Sequence, residues 1–214
     1  MNPFRNRSEA GKLLAEKLTA HANKDVLVLA LPRGGVPVAF EIAKTLKVPL
    51  ELLLVRKLGV PGHEELALGA VASGGVRVLN DDIVESLGIS QEIIELVTNR
   101  EKAELERREN LYRGDKPFPK LQGKMVIVVD DGIATGATMR VAVKALRQRK
   151  AAKIIVAAPT SALDTYEQLQ REANEVVCLA TPEPYLAVGT WYDDFSQTTD
   201  EKVKTLLAQI KNSP

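Results

Sequence analysis

Four short, nearly unbroken aliphatic runs constrain the fold of this chain most strongly: VLVLAL (26–31), MVIVV (125–129), KIIVAA (153–158) and EVVCLA (175–180). A strand with one wet face alternates apolar and polar residues. Runs that do not alternate, and are rich in Val and Ile, predict strands covered on both faces. Helical patterns separate them. Ser8 caps a first helix reaching to about Ala22, and further helices are expected over 36–47, 138–149 and 162–172. LELLLVR (50–56) adds another strand. This order predicts an α/β fold, doubly wound around a mainly parallel sheet. A chain of 214 residues suits one domain with a small appendage, and can bury roughly 70% of its unfolded surface.

Two regions break the alternation. Residues 58–75 are Gly-rich and lack periodicity, and a connection of that length reads as a functional lid. Residues 90–112 read as a long charged helix, packed where Ile93, Ile94, Leu96 and Val97 cluster and solvated beyond. RGDKPFPK (113–120) is a linker whose Arg-Gly-Asp is an ordinary turn. With 29 basic against 28 acidic residues, a net charge of +1 offers no footprint for nucleic acid. The single cysteine, Cys178, excludes an internal disulfide and reads as a small core residue in a reducing compartment. The opening MNPFRNRSEAGKLLAEKL has no uninterrupted apolar segment, so no signal peptide is expected. No run is long enough to span a bilayer, and a cytoplasmic location is expected.

The stretch KMVIVVDDGIATGATMR (124–140) runs from a strand into two adjacent acids, then into a loop of Gly, Ala and Thr. Buried carboxylates need a partner. In a parallel sheet, ligands bind beyond the carboxyl ends of strands, where Asp130 and Asp131 are expected. Residues 132–138 lead into a helix start, whose unpaired amides and dipole attract phosphate. Carboxylates that accept from hydroxyls, beside a loop that donates to phosphate, suit a phosphorylated sugar. Two other loop chemistries fail. Gly136 is followed by Ala137 with no lysine, so this is no nucleoside-triphosphate loop. Gly132 and Gly136 have the wrong spacing for a dinucleotide fingerprint.

VIVVDDGIATGATM resembles the phosphoribosyl-pyrophosphate motif of the type I phosphoribosyltransferases. LPRGGVPVA (31–39) resembles their pyrophosphate loop, VRKLGVPGHEE (55–65) the start of their mobile catalytic loop, and PEPYLAVGTWYDD (182–194) the hood of purine-type members. The resemblance implies a core over residues 1–180, with a mobile loop at about 58–75 and a helical insertion at about 81–112. A small hood and C-terminal helix would follow at 181–214. It implies that Asp130 and Asp131 hold the ribose hydroxyls, and that Ala134, Thr135, Gly136, Ala137 and Thr138 hold the 5-phosphate. Arg33, Gly34 and Gly35, with Arg56 and Lys57, would wrap the pyrophosphate. Mg²⁺ would be held mainly by the substrate. Arg33, Arg56, Lys57, Glu64 and Glu65 would serve catalysis, and a homodimer or higher homo-oligomer is implied.

The implied reaction moves a phosphoribosyl group to a ring nitrogen of a nucleobase, as in nucleotide salvage, and releases pyrophosphate. The acceptor is ambiguous. Ala134 and RKLGVPG are closer to adenine-type members, where Glu64 or Glu65 would take the proton. AVGTWYDD is closer to 6-oxopurine members, where Asp193 would read the base and Tyr185, Leu186 and Trp191 would lie against it. The alternative is a non-catalytic regulator that binds phosphoribosyl pyrophosphate. A synthetase of that compound would require a duplicated fold and a longer chain, and the absence of Gly-x-Ser-x-Gly argues against a serine hydrolase.

Overall fold

The computed structural model describes residues 4–22, 24–114 and 116–211, apart from the side chains at positions 65 and 211. The chain divides into two compact units, one formed by Met1–Leu53 with Leu121–Pro214 and the other by Leu54–Lys120.

The first unit is built on a five-stranded, wholly parallel sheet. Its strands are β1 (Val26–Ala30), β2 (Leu50–Leu52), β6 (Met125–Val129), β7 (Lys153–Thr160) and β8 (Glu175–Ala180), in the order β2-β1-β6-β7-β8. Every residue of β1 is buried, as are four of five in β6, so the unalternating aliphatic runs mark strands covered on both faces. Each such Val, Leu or Ile contributes about 1.5–3 kcal/mol on burial. The covering helices are α1 (Arg7–Lys17), α2 (Gly35–Leu46), α5 (Ala137–Gln148), α6 (Leu163–Glu172) and α7 (Asp200–Lys211). On α5 the buried residues Met139, Ala142, Val143 and Leu146 recur every three or four positions, the stripe that seats a helix on a sheet. The expected α/β fold around a parallel sheet is therefore present.

The second unit holds a three-stranded antiparallel sheet, β3 (Val55–Val60), β4 (His63–Ala72) and β5 (Val76–Leu79), with helices α3 (Asp81–Ser86) and α4 (Gln91–Arg113). Two expectations are corrected here. The run 50–56 is not one strand: residues 50–52 join the parallel sheet and β3 joins the antiparallel one. Local hydropathy does not encode the pairing partner. Residues 58–75 are also not aperiodic coil. They form most of a hairpin whose register shifts between Leu58, Gly59 and Val60, and each shift exchanges the inward and outward faces, hiding the alternation. Helix α4 buries Ile94, Val97, Thr98, Glu101 and Leu105 along one stripe and is capped by Ser90. No helix among the described residues is long and apolar enough to cross a membrane.

Candidate active site

Strands β1 and β6 are neighbours in register, with Ala30 beside Val129, so the turns at their carboxyl ends abut. Leu31 N–H donates to the Val129 carbonyl at 2.9 Å, and Gly35 N–H to the Leu31 carbonyl at 3.1 Å. The Pro32–Arg33 peptide is cis. A Cβ on Gly34 would lie 2.0 Å from Asp131 Oδ2, and one on Gly35 would lie 2.6 Å from the Val129 carbonyl oxygen. This turn packs directly on the acid pair and leaves no room for side chains at either position.

The acids differ in environment. Asp131 N–H donates to Asp130 Oδ1 at 2.8 Å. Burial first, and then the charge of Asp131, push the Asp130 carboxyl well above the usual carboxylate range. Asp131 Oδ2 accepts from Arg7 Nε at 2.7 Å, and its carbonyl accepts from the Tyr192 hydroxyl at 2.5 Å. A folded-state pKa above the unfolded value contributes stability that is present at low pH and lost as pH rises towards the folded value. In substrate-free protein, Asp130→Asn should therefore gain stability relative to wild type as pH climbs above about 4, the value of an unfolded aspartate. Denaturant unfolding of both proteins from pH 4 to 8 measures this; parallel pH profiles would refute the buried-acid assignment.

The loop that follows is anchored underneath and open above. Ile133 N–H donates to the Thr160 carbonyl at 2.9 Å, Ala162 N–H donates to the Ile133 carbonyl at 2.9 Å, and the Thr165 hydroxyl donates to the Ala134 carbonyl at 2.7 Å. Gly136 has φ +70°, and a Cβ there would also lie 2.5 Å from Thr165 Cγ2, so conformation and space both select glycine. Ala134, Thr135, Ala137 and Thr138 are exposed at the start of α5, whose first-turn amides have no intrahelical acceptor. That is the local geometry of an anion cradle.

The first unit thus brings together Arg33, Gly34, Gly35, Asp130, Asp131 and the loop 134–138. Arg33 is exposed and lies 3.6 Å from Asp200 at the start of α7. A cavity of about 340 Å³ is lined by Arg7, Arg33, Gly34, Asp131, Phe195, Gln197 and Thr198. Tyr185 and Trp191 stack with centroids 6.5 Å apart and planes at 20°. Burial pushes the Tyr185 hydroxyl up to about 12. The hydroxyls of Tyr185 and Thr160 approach each other without hydrogen-bond geometry, and neither they nor Trp191 Nε1 has a partner among the described residues. Leu186 is 80% exposed, and Asp193 has an exposed side chain while its amide donates to the Phe4 carbonyl at 2.8 Å.

The remaining expected residues lie in the second unit. Arg56 grips Glu101 of α4 with contacts of 3.0 and 2.6 Å, and Arg100 joins Glu101 at 3.1 Å and Glu64 at 3.9 Å. Lys57 is exposed, and the side chain of Glu65 lies outside the described residues. Sequence reasoning missed Arg7, Tyr192 and Phe195. Arg7 is the first residue of a capped helix, where a solvated role is the ordinary reading, and no local motif marks it.

The first unit is thus a parallel α/β domain whose central strand ends in two acids and a Thr-Gly loop, with a glycine turn packed on those acids. The chain belongs to the phosphoribosyl transferase domain family, whose model matches residues 5–191. Two Mycobacterium tuberculosis proteins, from strains CDC 1551 and H37Rv, are provisionally named phosphoribosyl transferases. Each is 45% identical over 207 residues, covering 97% of this chain and 47% of its own length. The chain therefore spans about half the length of the curated relatives it matches. The crystal structure of TT1426 from Thermus thermophilus is similar throughout, with 41% identity, TM-score 0.86, and coverage of 98% of this chain and 99% of that one.

Proposed function

We propose that this chain transfers the 5-phosphoribosyl group of phosphoribosyl pyrophosphate to a ring nitrogen of a purine-like or other nucleobase, releasing pyrophosphate. The observation that carries this reading is the contact of the Gly34–Gly35 turn with Asp130 and Asp131, beside an open loop at the start of α5. The acid pair would accept from the ribose diol. The amides of 134–138 and the Thr135 and Thr138 hydroxyls would hold the 5-phosphate, and Arg33 with the glycine turn would hold the pyrophosphate. Groups held in this way would bind the leaving group more tightly as its charge grows.

Among the described residues no group of three or more His, Cys, Asp or Glu is placed to hold a metal ion. Two hard carboxylates fit Mg²⁺ that takes most of its ligands from substrate and water, with Asp130 and Asp131 as the protein's contribution. When bound there, Mg²⁺ offsets charge developing on the departing pyrophosphate. The stacked Tyr185–Trp191 pair and the unpartnered Thr160, Tyr185 and Trp191 polar atoms support an acceptor that is an aromatic ring with a polar edge.

A second reading, a non-catalytic binder of phosphoribosyl pyrophosphate, is favoured by the engagement of Arg56 with Glu101. The deciding experiment incubates the protein with phosphoribosyl pyrophosphate, Mg²⁺ and a panel of nucleobases, following pyrophosphate release. Turnover with one base is the expected outcome. Tight binding with no turnover across the panel would establish the binder, and absence of binding would overturn both readings.

A further inference from the structure

Arg7, at the start of α1, is separated by 124 residues from the acid it meets. Its Nε donates to Asp131 Oδ2 at 2.7 Å and its Nη1 to the Ser196 carbonyl at 2.8 Å. The guanidinium lies 3.9 Å from the Phe195 ring centroid, in stacking range. Phe195 in turn stacks on Tyr192 at 5.2 Å, and Tyr192 holds the Asp131 carbonyl. The Arg7 and Asp131 side chains are only 11% and 13% exposed, so this contact is screened far less than a surface ion pair. On its other side Oδ2 is backed by the Gly34 turn. Asp131 is thereby gripped through Oδ2 and its main chain, with the Asp130 carboxyl as its neighbour on the same strand end.

We propose that Arg7 is a positioning residue for Asp131. It draws Oδ2 into the clasp formed by α1 and residues 192–196, and so fixes the orientation in which the carboxylate meets the ribose diol. This rests on the reading above, in which Asp131 binds ribose. A planar fork is needed, because one side chain must reach a carboxylate oxygen and a carbonyl together while stacking on a ring. A lysine keeps the charge but cannot stack or donate along two fixed directions.

The test compares wild type, Arg7→Lys and Arg7→Gln by calorimetric titration with two probes, the first with Mg²⁺ and the second without it, because bound Mg²⁺ would itself draw on Asp131. One probe is phosphoribosyl pyrophosphate, which carries the diol, and the other is inorganic pyrophosphate, which does not. Weakening a hydrogen bond to a charged acceptor costs on the order of 10- to 100-fold in affinity, so Arg7→Gln should weaken phosphoribosyl pyrophosphate by on the order of 30-fold and Arg7→Lys by about 5-fold. Pyrophosphate affinity should be unchanged in both. Equal losses for the two probes would mean general damage to the site and would overturn the inference, as would wild-type affinities in both variants. Should Arg7→Gln fail to fold, Arg7→Lys carries the test alone: unchanged binding of the diol probe overturns the need for the fork. If wild type itself does not bind phosphoribosyl pyrophosphate, the reading fails and this inference fails with it.

Discussion

Gly34→Ala is expected to cut phosphoribosyl-pyrophosphate affinity by about 100-fold or more, the equivalent of roughly 3 kcal/mol. The reason is volume and not conformation, because Gly34 has φ −59° and ψ −38°, which alanine adopts freely. The added methyl carbon would lie 2.0 Å from Asp131 Oδ2, 2.6 Å from its Cγ and 3.0 Å from Oδ1. Retreat is blocked, since Oδ2 is held by Arg7 at 2.7 Å and the Asp131 main chain by Tyr192. Relief must come from displacing the turn, the acid, or both, and the proposed ribose and pyrophosphate contacts move with them. The control is Gly123→Ala, in the turn before β6. Gly123 has φ +78° and nothing within 4 Å of the place a methyl carbon would take, so alanine costs about 1 kcal/mol of stability and leaves affinity unchanged. Titration calorimetry with thermal unfolding separates the two cases. Wild-type affinity in Gly34→Ala would remove the observation on which the functional reading stands.

The second large effect is a contrast at Asp131. Asp131→Asn keeps a carbonyl oxygen for Arg7 and should retain the fold, while losing the charged acceptor and weakening phosphoribosyl-pyrophosphate binding roughly 10- to 100-fold. Asp131→Ala removes the partner of a guanidinium whose side chain is 11% exposed. Stranding a buried charge costs about 3–5 kcal/mol, which for a chain of this size lowers the melting temperature by roughly 6–20 °C. Asparagine should thus lose ligand and keep stability, whereas alanine loses both. Unchanged affinity in Asp131→Asn would exclude the ribose contact, and an unshifted melting temperature in Asp131→Ala would show that Arg7 is not held by this acid.

The parallel sheet was legible because its strands are covered on both faces, a condition written into each run by its own residues: β1 buries every position. The acids and the loop from Asp130 to Thr138 were legible for a related reason, as a strand end, a turn and a helix start follow one another within nine residues. Recognition failed where register or distance intervened. The shifts at Leu58, Gly59 and Val60 scrambled the period-two signal of a hairpin. Arg56, implied as a pyrophosphate contact, meets Glu101, 45 residues later, a partner that no local pattern marks.

What the sequence determined alone was therefore everything that depends on neighbours along the chain: strand and helix identity, sheet class, and the acid-and-loop motif. Tertiary structure alone decided that Gly34 is seated on Asp131, that Arg7 from α1 holds that acid, and that Tyr192 and Phe195 complete the clasp. Local periodicity reflects which face is covered, whereas an ion pair or a close approach reflects which distant segments the packed sheet brings to one edge, and no single segment carries that information.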